Sequence, residues 1–148
     1  MIIVRPPGVY RPRSDSRLLA QAAASEVRRR DAVLDVFTGS GFVAIAAARA
    51  GARRIDAIDV SRRAALCAAV NARLNGFKVE ARRGDLFAPV GDRRYDLVTA
   101  NPPYVPSADA DLVPRGAARA WEAGADGRAL LTRLIAAAPG VCGPAGGS

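Results

Sequence analysis

Histidine is absent from this 148-residue chain, lysine occurs once, at Lys78, and cysteine only twice. Each scarcity closes a class of chemistry. Without histidine there is no Ser-His-Asp triad, no imidazole general base and no His-ligated metal, so no metal site is expected. Cys67, inside a helical stretch, and Cys142, near the C-terminus, are a poor basis for a disulfide framework, and a reducing cytoplasm is the expected setting. Arginines punctuate the apolar runs, so none reaches membrane-spanning length without charge and no membrane partner is expected. Met1-Ile-Ile-Val4 passes straight into Arg5-Pro-Pro7, without the pattern of a signal peptide. Aromatic residues make up 5% of the chain, too few to interleave with the arginines as a base-stacking platform.

Arginine and alanine are what the chain has in excess. The net charge of +8 invites a nucleic-acid partner. Yet the arginine pairs at Arg53-Arg54, Arg62-Arg63, Arg82-Arg83 and Arg93-Arg94 fall around connections rather than along one helix. The plainer reading is solvated loop charge in an Ala- and Arg-biased composition. An RNA-associated protein substrate fits either reading.

The length suits one domain with a sizeable core. Ser16 to about Arg30 reads as an amphipathic helix, with Ser14 or Asp15 as cap and Leu18, Leu19, Ala22 and Val27 inward. Strand, turn and helix then alternate: strand Ala32–Phe37, helix Gly41–Ala50, strand Arg54–Asp59, helix Ser61–Asn75 stopped by Gly76, strand Lys78–Arg83, strand Tyr95–Ala100. A last helix, Gly127–Ala138, ends at Pro139-Gly140. This rhythm predicts an α/β fold, a parallel sheet with helices on both faces, in strand order 3-2-1-4. Residues 1–30 form an N-terminal extension and helix, and 31–148 the ligand-binding domain.

Asn101-Pro102-Pro103-Tyr104 carries the sharpest chemical signal. Two prolines stop the preceding strand and fix φ near −65°, so the chain leaves the sheet on a rigid, extended course. The Asn101 side-chain carbonyl and the Pro102 main-chain carbonyl then stand as acceptors, with the ring of Tyr104 beside them. Such a cradle suits a planar –NH2 group, which brings two donors and a face to stack on.

Val33-Leu-Asp-Val-Phe-Thr-Gly-Ser-Gly41 is a strand, a glycine turn and a helix N-terminus, where exposed N–H groups and the helix dipole receive a polar ligand. A second strand ends in Asp59, 18 residues past Gly41. Gly39-x-Gly41-x-x-Ala44 with that aspartate also fits the dinucleotide fingerprint of nicotinamide enzymes. Asp35 separates the two readings. A carboxylate four residues before Gly39 would repel a pyrophosphate but suits an ammonium or sulfonium.

This segment resembles the glycine-rich first motif of class I S-adenosylmethionine-dependent methyltransferases. Asp59 resembles the acid that grips both ribose hydroxyls, Gly84-Asp85-Leu86-Phe87 the loop bordering the adenine, and Asn101 to Tyr104 the amino-methyltransferase signature. Within that superfamily the chain most resembles the HemK-type protein glutamine N5-methyltransferases. Tyr10-Arg-Pro12-Arg-Ser-Asp15-Ser16 is similar to the Tyr-x-Pro-x-x-Asp-Ser/Thr opening of the family's short branch, which lacks the N-terminal helical domain. Trp121-Glu-Ala-Gly-Ala-Asp-Gly127-Arg128 is similar to its Trp-x-Gly-Gly-x-x-Gly-Arg segment, with Ala123 where glycine is usual.

The resemblance implies S-adenosylmethionine as cofactor, leaving as S-adenosylhomocysteine. It places Tyr10, Asp15, Asp35, Thr38, Gly39, Gly41, Asp59, Val60, Asp85, Leu86 and Asn101 around that cofactor, and Asn101, Pro102 and Tyr104 around the acceptor nitrogen. It implies a protein substrate such as a translation release factor, and in the short branch a small activating subunit. Methylation of an exocyclic base amine in nucleic acid, and a non-catalytic cofactor-binding fragment, are the alternatives. Family members continue into a fifth strand, a helix and a hairpin, so the chain reads as truncated after the fourth strand and following helix, with an open strand-four edge.

Overall fold

The computed structural model describes residues 1–102 and 128–144. Its centre is β1 (Ala32–Val36), whose five residues are all buried. Burial on both faces marks the middle of a parallel sheet. β2 (Arg54–Asp59) lies on one side of it, followed outward by β3 (Glu80–Arg83), and β4 (Leu97–Ala100) on the other. All pairings are parallel and the order is β3-β2-β1-β4, as the sequence predicts. The chain reverses direction across the sheet between β1 and β4, the switch point where open α/β sheets bind ligands.

Alternation along β1 sorts the core. Ala32, Leu34 and Val36 face one side with Ile58, Phe87, Tyr95, Leu130 and Leu134. Val33 faces the other with Ile45, Ala47, Ile55, Ala57 and Ala72. The first layer is covered by the last helix, α4 (Arg128–Ala137), and the second by α2 (Phe42–Arg49) and α3 (Arg62–Leu74). α3 starts where Ser61 Oγ accepts from Ala64 N at 3.2 Å, and stops at Gly76, whose φ of 83° breaks the helix.

α1 (Ser14–Glu26) departs from the sequence expectation at both ends and on its face. Arg13 occupies the N-cap position, with its main-chain N–H on Ser16 Oγ at 3.4 Å. The buried face is Ser16, Ala20 and Ala23, while Leu18 is 66% exposed and Ala22 also lies outside. The physical reason is close approach: α1 packs on Val43 of α2 through Ala20 and Ala23, with Leu19 at the margin of that contact. Val27, beyond the helix, packs on the second core layer as expected.

β3 and β4 begin two residues later than expected. Tyr95 instead makes a parallel bridge to Cys142. Its N–H donates to Val141 O at 2.8 Å and its carbonyl accepts from Gly143 N at 3.0 Å. The chain leaving α4 therefore returns alongside the outer edge of β4 at its start, so that end of the edge is not open. Deeper in, the Tyr95 hydroxyl donates to Asp56, fully buried on β2, and Arg93 and Arg54 approach the same carboxylate at 3.5 and 3.8 Å.

At least one arginine of each pair is bonded within the protein rather than merely solvated. Arg94 donates to Pro139 O and Cys142 O, Arg83 to Val60 O, and Arg63 to Pro7 O. Arg54 also lies over the Tyr95 ring.

Gly41 makes the α2–α3 contact close. A Cβ there would stand 2.9 Å from Ala68 Cα, at a φ of 87°. Gly76 has a similar φ of 83° but nothing within 4 Å of such a Cβ. Gly76→Ala is expected to cost about 1 kcal/mol of left-handed strain. Gly41→Ala adds about 1–3 kcal/mol of overpacking to that strain. Urea midpoints of the two variants compare them directly, and equal losses would refute the close contact.

Candidate active site

Four loops meet at the C-terminal edge of the sheet. The first leaves β1 through Phe37, Thr38, Gly39 and Ser40, with φ of 60° at Phe37 and 56° at Gly39. A positive φ at a half-buried phenylalanine is strained, and the surrounding bonds hold it. Thr38 N donates to Ile58 O at 3.0 Å, and Gly41 N to Thr38 O at 2.9 Å. Gly39 N donates to Asp59 Oδ2 at 2.9 Å, while Asp59 Oδ1 accepts from Ser61 N at 2.9 Å. The Asp59 main-chain carbonyl accepts from Gly84 N at 2.9 Å, which brings in the loop after β3. Burial raises the Asp59 pKa, and the N–H groups of Ser61 and Gly39 work against that rise.

Asp35 stands one level below, 2% exposed, level with Thr99 of β4. Thr99 Oγ1 donates to Asp35 Oδ1 at 2.7 Å. Burial pushes the carboxyl up to about 6, with the Thr99 hydroxyl opposing. The Thr38 hydroxyl also eases the charge from beyond hydrogen-bond geometry, so Thr38 Oγ1 and Asp35 Oδ2 are buried without a hydrogen-bond partner. Orphaned buried oxygens of this kind are costly in a folded chain.

The N-terminal segment closes over this edge. Tyr10 lies against the glycine turn, since a Cβ on Gly39 would sit 3.8 Å from Tyr10 Cβ. Its phenol is raised by burial and then by the neighbouring Asp15 carboxylate. Asn101, just past β4, donates through Nδ2 to Asp15 Oδ2 at 3.3 Å and to Ser16 Oγ at 3.5 Å. Three stretches far apart in the chain thus meet at the switch point.

On the β3 side, Asp85 is exposed and its Oδ2 accepts from Arg133 of α4. Leu86, with φ of 49°, sinks its side chain into the core, so its main chain alone can meet a ligand. Val60 is half-buried, and its carbonyl is taken by Arg83 Nε at 3.3 Å. Pro102 is buried. Tyr104 and the stretch 121–127 lie outside the described residues. Sequence reasoning missed Asn71 and Arg133 as contributors, and gave Ser16 only within the Tyr10–Ser16 opening, without a role at the site. Asn71 alone left a trace, as an asparagine on the inner face of a helix that otherwise buries alanine and cysteine.

The methyltransferase small domain matches residues 1–120. The release factor glutamine methyltransferase of Geobacter sulfurreducens is 34% identical over 149 residues, covering 95% of this chain and 51% of that protein. The ribosomal protein uL3 glutamine methyltransferase of Bradyrhizobium diazoefficiens is 43% identical over 122 residues, covering 78% of this chain and 38% of that protein. Among solved structures, the ribosomal protein L11 methylase from Lactobacillus delbrueckii subsp. bulgaricus superposes with a TM-score of 0.67 at 27% identity, over 97% of this chain and 62% of that one. The chain spans about half the length of the curated relatives it matches. Its parallel sheet, its glycine turn and its acids at the strand ends agree with that match, and the chain belongs to the methyltransferase small domain family.

Proposed function

We propose that this chain carries the catalytic core of an S-adenosylmethionine-dependent methyltransferase acting on the side-chain amide of a glutamine in a protein substrate. A translation release factor or a ribosomal protein is the substrate class that the relatives' names support. The observation that carries the reading is the direction of the Asn101 carboxamide. Its Nδ2 end is committed to Asp15 and Ser16, so Oδ1 is the end presented to an incoming –NH2 group.

The donor set fits the cofactor. Asp35 Oδ2 and Thr38 Oγ1 are buried without partners beside the glycine turn, which suits a ligand bearing an ammonium. Asp59 keeps lone pairs on both oxygens for a ribose diol, and the Leu86 N–H and Asp85 are the groups the sequence motif assigns to the adenine. S-adenosylmethionine, when bound, supplies a methyl group already activated on a sulfonium. The chain has to hold the acceptor nitrogen in line and exclude water, which can lower the barrier by about 7–11 kcal/mol. Asn101 Oδ1 and the Pro102 carbonyl accept the two amide N–H bonds and stabilise charge growing on nitrogen. Tyr104, outside the described residues, is assigned by the sequence motif alone to the amide plane. No strong base is required.

Several arginines that could face phosphates instead bind main-chain carbonyls or Asp56 within the protein, which supports a protein acceptor over nucleic acid. The cytoplasm is the expected place of action.

The test is methyl transfer from labelled S-adenosylmethionine to a Gly-Gly-Gln peptide, to release factor, and to RNA. Label in glutamine supports the reading; label in RNA alone refutes it. Asn101→Ala should cut turnover by about 100-fold or more, as removal of a preorganised acceptor does, with S-adenosylhomocysteine affinity nearly unchanged by calorimetry. An unchanged rate would remove Asn101 from the mechanism. Asp59→Ala should keep the α/β signal by circular dichroism but lower the urea midpoint, since the Gly39 and Ser61 N–H groups lose their acceptor. It should also weaken S-adenosylhomocysteine about 10-fold or more, as the diol bonds to a charged group are lost. Full-strength binding would free Asp59 of that role.

Asp35 gives the pH signature. An acid whose folded pKa is raised binds more protons in the native state, so stability falls as pH rises from its unfolded value near 4 to about 6, then levels. The total is on the order of 3 kcal/mol. Cofactor affinity should run the other way, strengthening from pH 5 to 7 as the carboxylate forms to meet the ammonium. Asp35→Asn should flatten both profiles, read by urea midpoints and by calorimetry across pH. A cofactor profile that persists in Asp35→Asn would assign it to another group.

A further inference from the structure

We infer that the first nine residues act as a strap that holds the glycine turn of the cofactor site in shape, and that Asn71 is the positioning residue joining them to that turn. The inference rests on the cofactor reading above.

Two asparagines four positions apart on α3 grip the N-terminal segment. Ile2 N donates to Asn75 Oδ1 at 2.8 Å, and Ile2 O accepts from Asn75 Nδ2 at 2.7 Å. Val4 repeats the pattern with Asn71, at 2.8 Å in both directions. Each carboxamide stands in for the peptide group of a neighbouring strand. The spacing works because four helical residues rise about 6 Å, close to the two-residue repeat of an extended chain.

Asn71 differs from Asn75 in what else it touches. It is completely buried, and its Nδ2 also donates to Ser40 O at 2.9 Å. Ser40 lies between Gly39 and Gly41 in the turn beneath the proposed cofactor site. A carboxamide is the smallest side chain with two donors and an acceptor on one planar group. An aspartate would face two carbonyls with its lone pairs, and an alanine would leave Val4 N and Ser40 O unpaired and Val4 O with the Cys67 thiol as its remaining donor. The segment then continues through Val9, buried against Ala64 and Cys67, to Tyr10 on Gly39. The turn is therefore held from two sides by one strap, through Asn71 at Ser40 and directly by Tyr10. Seating of the strap and the shape of the turn form one linked equilibrium, and a ligand that favours the formed turn tightens the strap by the same factor.

The test uses the full chain and S-adenosylhomocysteine. Asn75→Ala releases the strap without touching the turn, and Val4→Pro removes the N–H that Asn71 accepts without altering α3. Each should weaken S-adenosylhomocysteine about 5-fold and Asn71→Ala about 50-fold, within the about 5–150-fold span of linked sites. Val4→Pro added to Asn71→Ala should weaken binding no further. In the ligand-free protein, amide exchange at Gly39 to Val43 should quicken in every variant, while β1 keeps its protection. Unchanged affinity and unchanged turn exchange in Asn75→Ala and Val4→Pro overturn the inference, whether or not Asn71→Ala folds. Additive losses in the double variant overturn the link as well. Wild-type protein that fails to bind sinks the cofactor reading itself and takes this inference with it, a result seen before any variant is compared.

Discussion

The carboxylate of Asp59 is the joint on which the functional edge depends. Its two oxygens accept the N–H groups of Gly39 and Ser61, and its main-chain carbonyl accepts that of Gly84. One residue thus ties the turn after β1, the start of α3 and the loop after β3 to the end of β2. A parallel sheet leaves its loop ends with unpaired main-chain groups at this edge, and each must find a partner or lose stability. A half-buried acid is a costly way to supply acceptors, as its raised pKa records. The expense falls on the atoms that lie nearest the proposed ribose site, so the scaffold and the ligand use the same lone-pair-rich group.

Much of this was legible from residue patterns alone. Short apolar strands alternating with capped helices fix the order β3-β2-β1-β4, because right-handed parallel crossovers leave few alternatives. Asp35, Asp59 and Asn101 could be placed at or near strand ends because each interrupts or follows an apolar run. The inner face of α1 could not be placed. Its leucines are the larger apolar groups, yet close approach to α2 selects Ala20 and Ala23, a tertiary preference that periodicity does not encode. Asn71 stands out as a polar residue on the inner face of α3, but its partner Val4, 67 residues away, could not be placed for the same reason. Nor could the role of the arginines, whose carbonyl partners lie dozens of residues away. Local pattern carries elements and their ends; it does not carry partners.

The sheet has a polar cluster at each end, and the contrast between them separates structure from function. At the lower end Asp56 takes the Tyr95 hydroxyl and sits between Arg93 and Arg54. This cluster pins the start of β4 across β1 to β2, where the chain beyond α4 also pairs. Its charge is answered inside the protein. At the upper end Asp35 has one bond from Thr99, one oxygen with no partner, and beside it a Thr38 hydroxyl with none. Among the described residues no cation reaches it within ion-pair distance. Two buried carboxylates on adjacent strands of one sheet, each with one oxygen left without a hydrogen-bond partner, therefore differ in whether the fold itself supplies a positive charge.

That difference argues for what the upper end does. A buried acid without a cation weighs against a marginal net stability of about 5–15 kcal/mol, and Phe37 adds strained backbone immediately beside it. A chain optimised only to fold would place an apolar residue at 35, as it does at 33, 34 and 36. Retaining aspartate there is intelligible if the missing charge arrives with a ligand, so that binding restores what folding gave up. The N-terminal strap fits the same logic. It is held by side-chain amides rather than by a sheet, and such a contact can loosen and re-form as the site empties and fills.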